Sequence, residues 1–247
     1  MPEYKQAYSR VYGRRKGHKL RVQQKALMEN LLPRLNIDLE KCEEKIEPQS
    51  FFACNIKEVW LEIGFGAGEH TAWQAKQNPN IGFIACEPFL NGVASLLKRI
   101  STEKLCNIRI FTDDALPLIT RLSEGTINRV FLLFPDPWPK SRHKKRRIIT
   151  TDNVINFANI IADNGEFRFS TDHTEYSRWT LLIMLNHQWF HWTAEKSSDW
   201  TNRPKDWPLT RYECKALKDN KKPIFLQFRR LPRKVTNSKL LKNIEIA

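Results

Sequence analysis

Short apolar runs recur along the chain, and amphipathic stretches separate them. The clearest run, Val59 to Ile63 (VWLEI), is broken only by Glu62 and closed by Gly64, Gly66 and Gly68. It predicts a strand covered on both faces that feeds a tight turn, where glycine allows backbone conformations closed to other residues. Glu69 to Lys76 (EHTAWQAK) then predicts a helix. The pattern repeats, with Ile81 to Cys86 (IGFIAC) as a second strand, Leu90 to Ile100 as a helix, Asn107 to Phe111 as a third strand and Arg129 to Phe134 as a fourth. Upstream, Gln24 to Leu32 predicts a short helix ended by Pro33, and polar Asp38 to Gln49 predicts a surface connection. Downstream, Pro223 to Arg229 predicts a final antiparallel strand at the sheet edge beside Gln188 to Thr193.

The 247 residues, 41% hydrophobic, suffice for one large α/β domain or two small ones. There are no internal repeats. Lys and Arg outnumber Asp and Glu by 41 to 27, a formal charge of +14, which points to a polyanionic partner, either nucleic acid or an anionic membrane. No apolar run approaches the roughly 18 residues of a membrane span, and the first residues, MPEYKQAYSR, lack a signal-peptide core, so a cytoplasmic protein is expected. Cys42, Cys54, Cys86, Cys106 and Cys214 are scattered, with no C-x-x-C pair, and indicate neither disulfides nor a metal site. Residues 1–25 hold Lys5, Arg10, Arg14, Arg15, Lys16, Lys19, Arg21 and Lys25 against the single acid Glu3, a basic arm suited to phosphates. An arm and connection over 1–49 and a domain over 50–247 are therefore expected.

The candidate chemistry lies at the predicted strand ends. A glycine turn between a strand and a helix N-terminus is a small-molecule cradle. Its spacing is G-x-G-x-G, and Glu69 stands where the dinucleotide fingerprint requires glycine, which argues against an NAD-dependent oxidoreductase. With Glu62 two residues before the first glycine, the turn resembles motif I of the S-adenosylmethionine (SAM)-dependent methyltransferases. Glu87 ends the second strand, about 20 residues from the glycines, where an acid accepts from both ribose hydroxyls. Asp113 and Asp114, followed by Ala115, end the third strand, and composition does not separate them. After the fourth strand, Phe134-Pro135-Asp136-Pro137-Trp138-Pro139-Lys140 can continue neither strand nor helix. It predicts a stiff loop that fixes the Asp136 carboxylate opposite the glycine turn. Arg142, Lys144, Lys145, Arg146 and Arg147 follow, candidates for RNA-backbone binding at the mouth of the site.

The run from Phe134 to Arg147 resembles the tRNA (guanine-N7-)-methyltransferase family, which modifies a variable-loop guanine. Asn164 to Ser170 (NGEFRFS) resembles its fifth strand, Thr171-Asp172 its T-D pair, and Thr210-Arg211-Tyr212-Glu213 its late T-[KR]-[FY]-E motif. The resemblance covers roughly residues 50–230. It implies a Rossmann-like class I α/β fold, a mostly parallel seven-stranded sheet with helices on both faces and an antiparallel last strand. It also implies SAM as cofactor and tRNA as partner, in a monomer or homodimer. By resemblance Glu62, Gly64, Gly66, Gly68, Glu87, Asp114 and Asp136 bind the cofactor, Asp136 is also the catalytic residue, and Lys140, Asp172, Thr210, Arg211, Tyr212 and Glu213 contact substrate.

Guanine N7 carries an in-plane lone pair and no proton, so alignment with the methyl group does most of the catalysis. A carboxylate can hold guanine N1–H and N2–H and offset the charge the ring gains, a role expected of Asp136 with Asp172 and Glu213 as further candidates. The guanine is expected to be splayed from its neighbours, and affinity to fall with salt. Trp189, Trp192, Trp200 and Trp207, interspersed with Arg203 and Lys205, are read as core rather than as stacking platforms. A methyltransferase of another RNA, such as ribosomal RNA, is the alternative, and a non-catalytic RNA-binding protein would have eroded the acids at 62, 87, 114 and 136.

Overall fold

The computed structural model describes residues 12–53 and 56–233. Lys5 and Arg10 of the arm, Cys54 and residues 234–247 lie outside the described residues. Seven strands form one sheet in the order β3-β2-β1-β4-β5-β7-β6. They are β1 (Glu58–Ile63), β2 (Ile81–Cys86), β3 (Ile108–Phe111), β4 (Ile127–Leu133), β5 (Ile161–Thr171), β6 (Phe190–Trp192) and β7 (Ile224–Arg230). The first five pair in parallel, and β7 runs antiparallel to both β5 and β6.

The helices are α1 (Val22–Asn30), α2 (Leu32–Leu35), α3 (Glu69–Gln77), α4 (Leu90–Glu103), α5 (Ala115–Ile119), α6 (Thr151–Ile160), α7 (Thr174–Asn186), α8 (Ser198–Thr201) and α9 (Arg211–Lys218). Among the described residues, no helix is long and apolar enough to cross a membrane. Strand alternation divides the core into two layers. Val59, Leu61 and Ile63 of β1 pack with Leu118 of α5, Phe157 of α6 and Tyr176 of α7 on one face. Trp60 faces the other way, with Ala72 and Ala75 of α3 and Val93, Leu96 and Leu97 of α4. Glu62 shares the Trp60 side by the same alternation, which decides where its carboxylate goes. Fully buried strands explain why the parallel segments read as nearly unbroken apolar runs.

Three expectations are corrected. β7 is interior, paired on both sides, and the short β6 is the edge. Pro33 does not end the first helix: α1 stops at Asn30, and Pro33 sits in the first turn of α2, where its missing N–H has no partner to lose. The stretch read as a surface connection buries Ile46, which bridges to Leu122, just as Ile37 before it is buried beside β3 and donates its N–H to the Ile110 carbonyl. Trp207 is buried, and Trp189, Trp192 and Trp200 pack half-buried against the core, as read from their density.

Candidate active site

The order of the strands places β2 and β4 on either side of β1, and their carboxyl ends open onto a cavity of about 570 Å³. A ligand crevice at such a switch point follows from the chain crossing over on opposite sides of the sheet. Gly64 and Gly66 line it. Gly66 has φ +59°, and a Cβ there would lie 2.9 Å from the ring of Tyr212. Gly92, in the first turn of α4, is tighter still, since a Cβ would stand 2.1 Å from the Gly66 carbonyl oxygen. Glycine at both positions lets the turn and the helix close on each other. Gly68 does not line the cavity and instead packs against Leu96 of α4.

Glu87 is buried on the cavity wall. Its Oε2 accepts from Gly66 N at 2.8 Å and its Oε1 from Phe89 N at 3.0 Å. Burial pushes its carboxyl above the usual range; these two N–H groups oppose the shift, and the nearby Glu62 and Asp136 charges add to it. Each oxygen has a second lone pair, so the group retains acceptor capacity toward the cavity. Asp113 and Asp114 both line the cavity, and the structure separates them. Asp113 pairs with Arg15 and accepts from Asp114 N at 2.8 Å. Asp114 caps α5, accepting from Leu116 N at 3.1 Å.

Asp136 is exposed and lines the cavity, on the loop after β4, the strand paired with β1. The loop that carries it is strained on both sides, with Phe134 at φ 50° and Trp138 at φ 42°, left-handed values that side chains rarely adopt. Such strain persists only where surroundings enforce it. Phe134 N donates to Ser170 O at 2.8 Å from the β5 side. Arg147 Nε donates to Pro137 O at 2.8 Å, and its guanidinium also reaches Trp138 O and pairs with Glu175.

That bracing corrects one reading of the basic run. Arg147 is 2% exposed and packs on the rings of Tyr176 and Trp179, so it cannot hold an RNA backbone. Lys144 pairs with Glu175 at 2.9 Å. Arg142 and Lys145 are exposed, as is Lys140. Arg146 lines the cavity, its guanidinium 4.6 Å from the Tyr12 ring centroid and 4.9 Å from that of Trp138.

Of the late motif, Arg211 and Tyr212 line the cavity. Thr210 and Glu213 are buried beside it: Thr210 caps α9 by accepting from Glu213 N at 3.2 Å, and Glu213 meets Arg203 at 3.3 Å, its carboxyl pushed up by burial. Asp172 is paired with Lys221 at 2.7 Å, outside the lining. Glu62 is likewise outside it, buried with Oε2 accepting from Thr71 Oγ1 at 2.5 Å and facing His70 Nδ1 at 2.9 Å.

Sequence reasoning missed the segment that crosses the cavity. Tyr12, Gly13 and Arg14 line it, and the strap is tied down where Arg15 O accepts from Leu90 N at 3.0 Å and Asn91 bonds Gly17 N and His18 O. Its only sequence signal was positive charge. Nothing in the spacing tied it to α4.

A family model described as "Putative methyltransferase" matches residues 57–226. A tRNA (guanine-N(7)-)-methyltransferase of Rhodospirillum rubrum is 43% identical over 94% of this chain and 92% of its own length. One from Agrobacterium fabrum is 44% identical over 88% and 93%. Among solved structures, an antibiotic-related methyltransferase aligns over 72% of this chain and 89% of its own with a TM-score of 0.50 and 16% identity, a likeness of fold alone. With such identity over nearly the whole length, the chain belongs to the tRNA (guanine-N(7)-)-methyltransferase family.

Proposed function

We propose that the protein transfers a methyl group from SAM to N7 of a guanine in tRNA, with Asp136 as the catalytic residue. The observation that carries this reading is the presentation of the Asp136 carboxylate on a loop held between two left-handed residues, in the cavity lining that it shares with Gly64 and Gly66. Of the three acids considered for the guanine edge, Asp136 alone lines the cavity, because Asp172 and Glu213 face Lys221 and Arg203.

The cavity suits the cofactor. Gly64 and Gly66 would let its amino-acid end approach the backbone, the remaining lone pairs of Glu87 would accept from the ribose hydroxyls, and Ala115 and Leu116 would wall the adenine beside Asp114. When bound, SAM supplies an electrophilic methyl group on a sulfonium. The protein's part is then orientation. Asp136 would accept from guanine N1–H and N2–H, leaving the N7 edge free to take the methyl group as its bond to sulfur breaks and S-adenosylhomocysteine leaves, and its negative charge would offset the positive charge that the ring acquires. No base is needed, since N7 has no proton to lose. Exposed Lys140, Arg142 and Lys145 extend from this loop and suit the phosphates on either side of the target.

The test is incubation of the purified protein with unmodified tRNA and methyl-labelled SAM, digestion to nucleosides and mass spectrometry. Label in 7-methylguanosine is expected. Label in a different nucleoside, or in ribosomal RNA with none in tRNA, overturns the assignment.

A further inference from the structure

Glu62, the acid of the glycine motif, begins a buried polar chain that leads away from the cavity. His70 and Gln74 are 3% and 1% exposed and lie one turn apart on α3. His70 Nδ1 sits 2.9 Å from Glu62 Oε2, and its Nε2 sits 3.2 Å from Gln74 Nε2. With Nδ1 donating to the carboxylate, Nε2 is left as the acceptor for the Gln74 amide. That same amide nitrogen donates to the main-chain oxygen of Asp206 at 2.7 Å. The Asp206 carboxylate in turn receives Arg168 Nη1 at 2.6 Å.

The far end of this chain is the segment that carries the late motif. Trp207 is inserted beside His70, Phe131 and Phe225, with ring centroids 5.5 to 6.4 Å apart. The next turn of chain returns to α3, where Glu69 Oε2 accepts from Arg211 N at 3.1 Å. Tyr212 follows, its ring against Gly66. α3 therefore holds Glu62 through His70, the Asp206 main chain through Gln74 and the Arg211 main chain through Glu69.

We propose that His70 and Gln74 are positioning residues, which lock the 206–212 segment to the glycine motif and so set Tyr212 over the cofactor cradle. This rests on the methyl-transfer reading above. Neither side chain lines the cavity, so both act through Tyr212 and Arg211. Its inner members, Glu62, His70 and Gln74, are buried, so each of them, once unpaired, has no water to turn to, which specifies one arrangement.

A double-mutant cycle with Gln74→Met and Tyr212→Ala tests it, read by tRNA methylation and by amide hydrogen exchange over residues 206–216. Gln74→Met keeps side-chain volume while removing the amide. It is expected to speed exchange in 206–216 and to lower kcat/KM for tRNA by about 10-fold, the scale of a small misplacement of a reacting group. Added to Tyr212→Ala, it is expected to cost nothing further. Full additivity, or unchanged exchange in 206–216, overturns the proposal. Should Gln74→Met fail to fold, His70→Gln, which removes the ring nitrogen that the Gln74 amide faces, serves in the same cycle. A wild-type protein inactive on tRNA would strike the methyl-transfer reading, while the exchange comparison still decides the positioning role.

Discussion

Replacing Arg147 with methionine separates a structural brace from a phosphate ligand. In the folded protein the guanidinium is fully buried, donates to the Pro137 carbonyl at 2.8 Å and pairs with Glu175, whose own side chain is 42% exposed. Methionine keeps much of the packing on Tyr176 and Trp179. It strands the Pro137 carbonyl, which costs about 1–3 kcal/mol, and removes an ion pair that solvent on the Glu175 side discounts to roughly 0.5–1 kcal/mol. A loss of about 3 kcal/mol corresponds to a fall in Tm of about 6–12 °C at this chain length. Calorimetry measures it. The pH dependence adds a second signature: Arg147 foremost, with Lys144, lowers the Glu175 carboxyl from 4.5 to about 2, so the Arg147 share of that contribution is present above pH 4.5 and is lost as pH falls toward 2. The gap in Tm between wild type and variant should narrow over that window. A wild-type Tm, together with a weaker salt dependence of tRNA binding, would refute the bracing role and restore a phosphate contact.

Three further outcomes are expected. Gly92→Ala should lower the affinity for S-adenosylhomocysteine more than about 10-fold in calorimetry, and stability by about 1–3 kcal/mol, because its Cβ would meet the Gly66 carbonyl at 2.1 Å and α4 must move. Affinity for the same ligand should fall on acidification beginning above the ordinary carboxylate range, since burial raises Glu87 and the ionised form is the better acceptor; Glu87→Gln should flatten that profile. Arg142→Ala and Lys145→Ala, both at exposed positions, should each reduce the slope of log affinity for tRNA against log salt by about 0.7–0.9 without changing Tm.

Much of the fold was legible because its parallel strands are covered on both faces. Unbroken apolar runs such as IGFIAC are visible without tertiary knowledge, and β2 was read with its observed limits. The position of β7 was not legible, since a short antiparallel strand reads the same at an edge or beside one. Within the site, the glycines and the proline loop announced themselves through backbone chemistry, which is local. Burial of a charge is not local, and Arg147 hid among surface cations although Ile148 and Ile149 follow it. The direction of Glu62 was partly readable, for alternation along β1 puts it with Trp60 on the α3 side. The crossing of Tyr12 over the cavity depends on contacts with Asn91 and Asp113, far along the chain, and had no local signal.

Single-turnover methyl transfer by Asp136→Asn and Asp136→Ala, at saturating SAM and tRNA, bears on the role of the carboxylate itself. Asparagine keeps the size and the loop, yet its amide cannot supply the charge or both acceptors. Both variants are expected to lose about 100-fold or more in rate at saturating SAM and tRNA, the scale of removing one preorganised electrostatic group. Near wild-type turnover in Asp136→Ala would contradict the assignment of the reaction to the carboxylate on the proline loop.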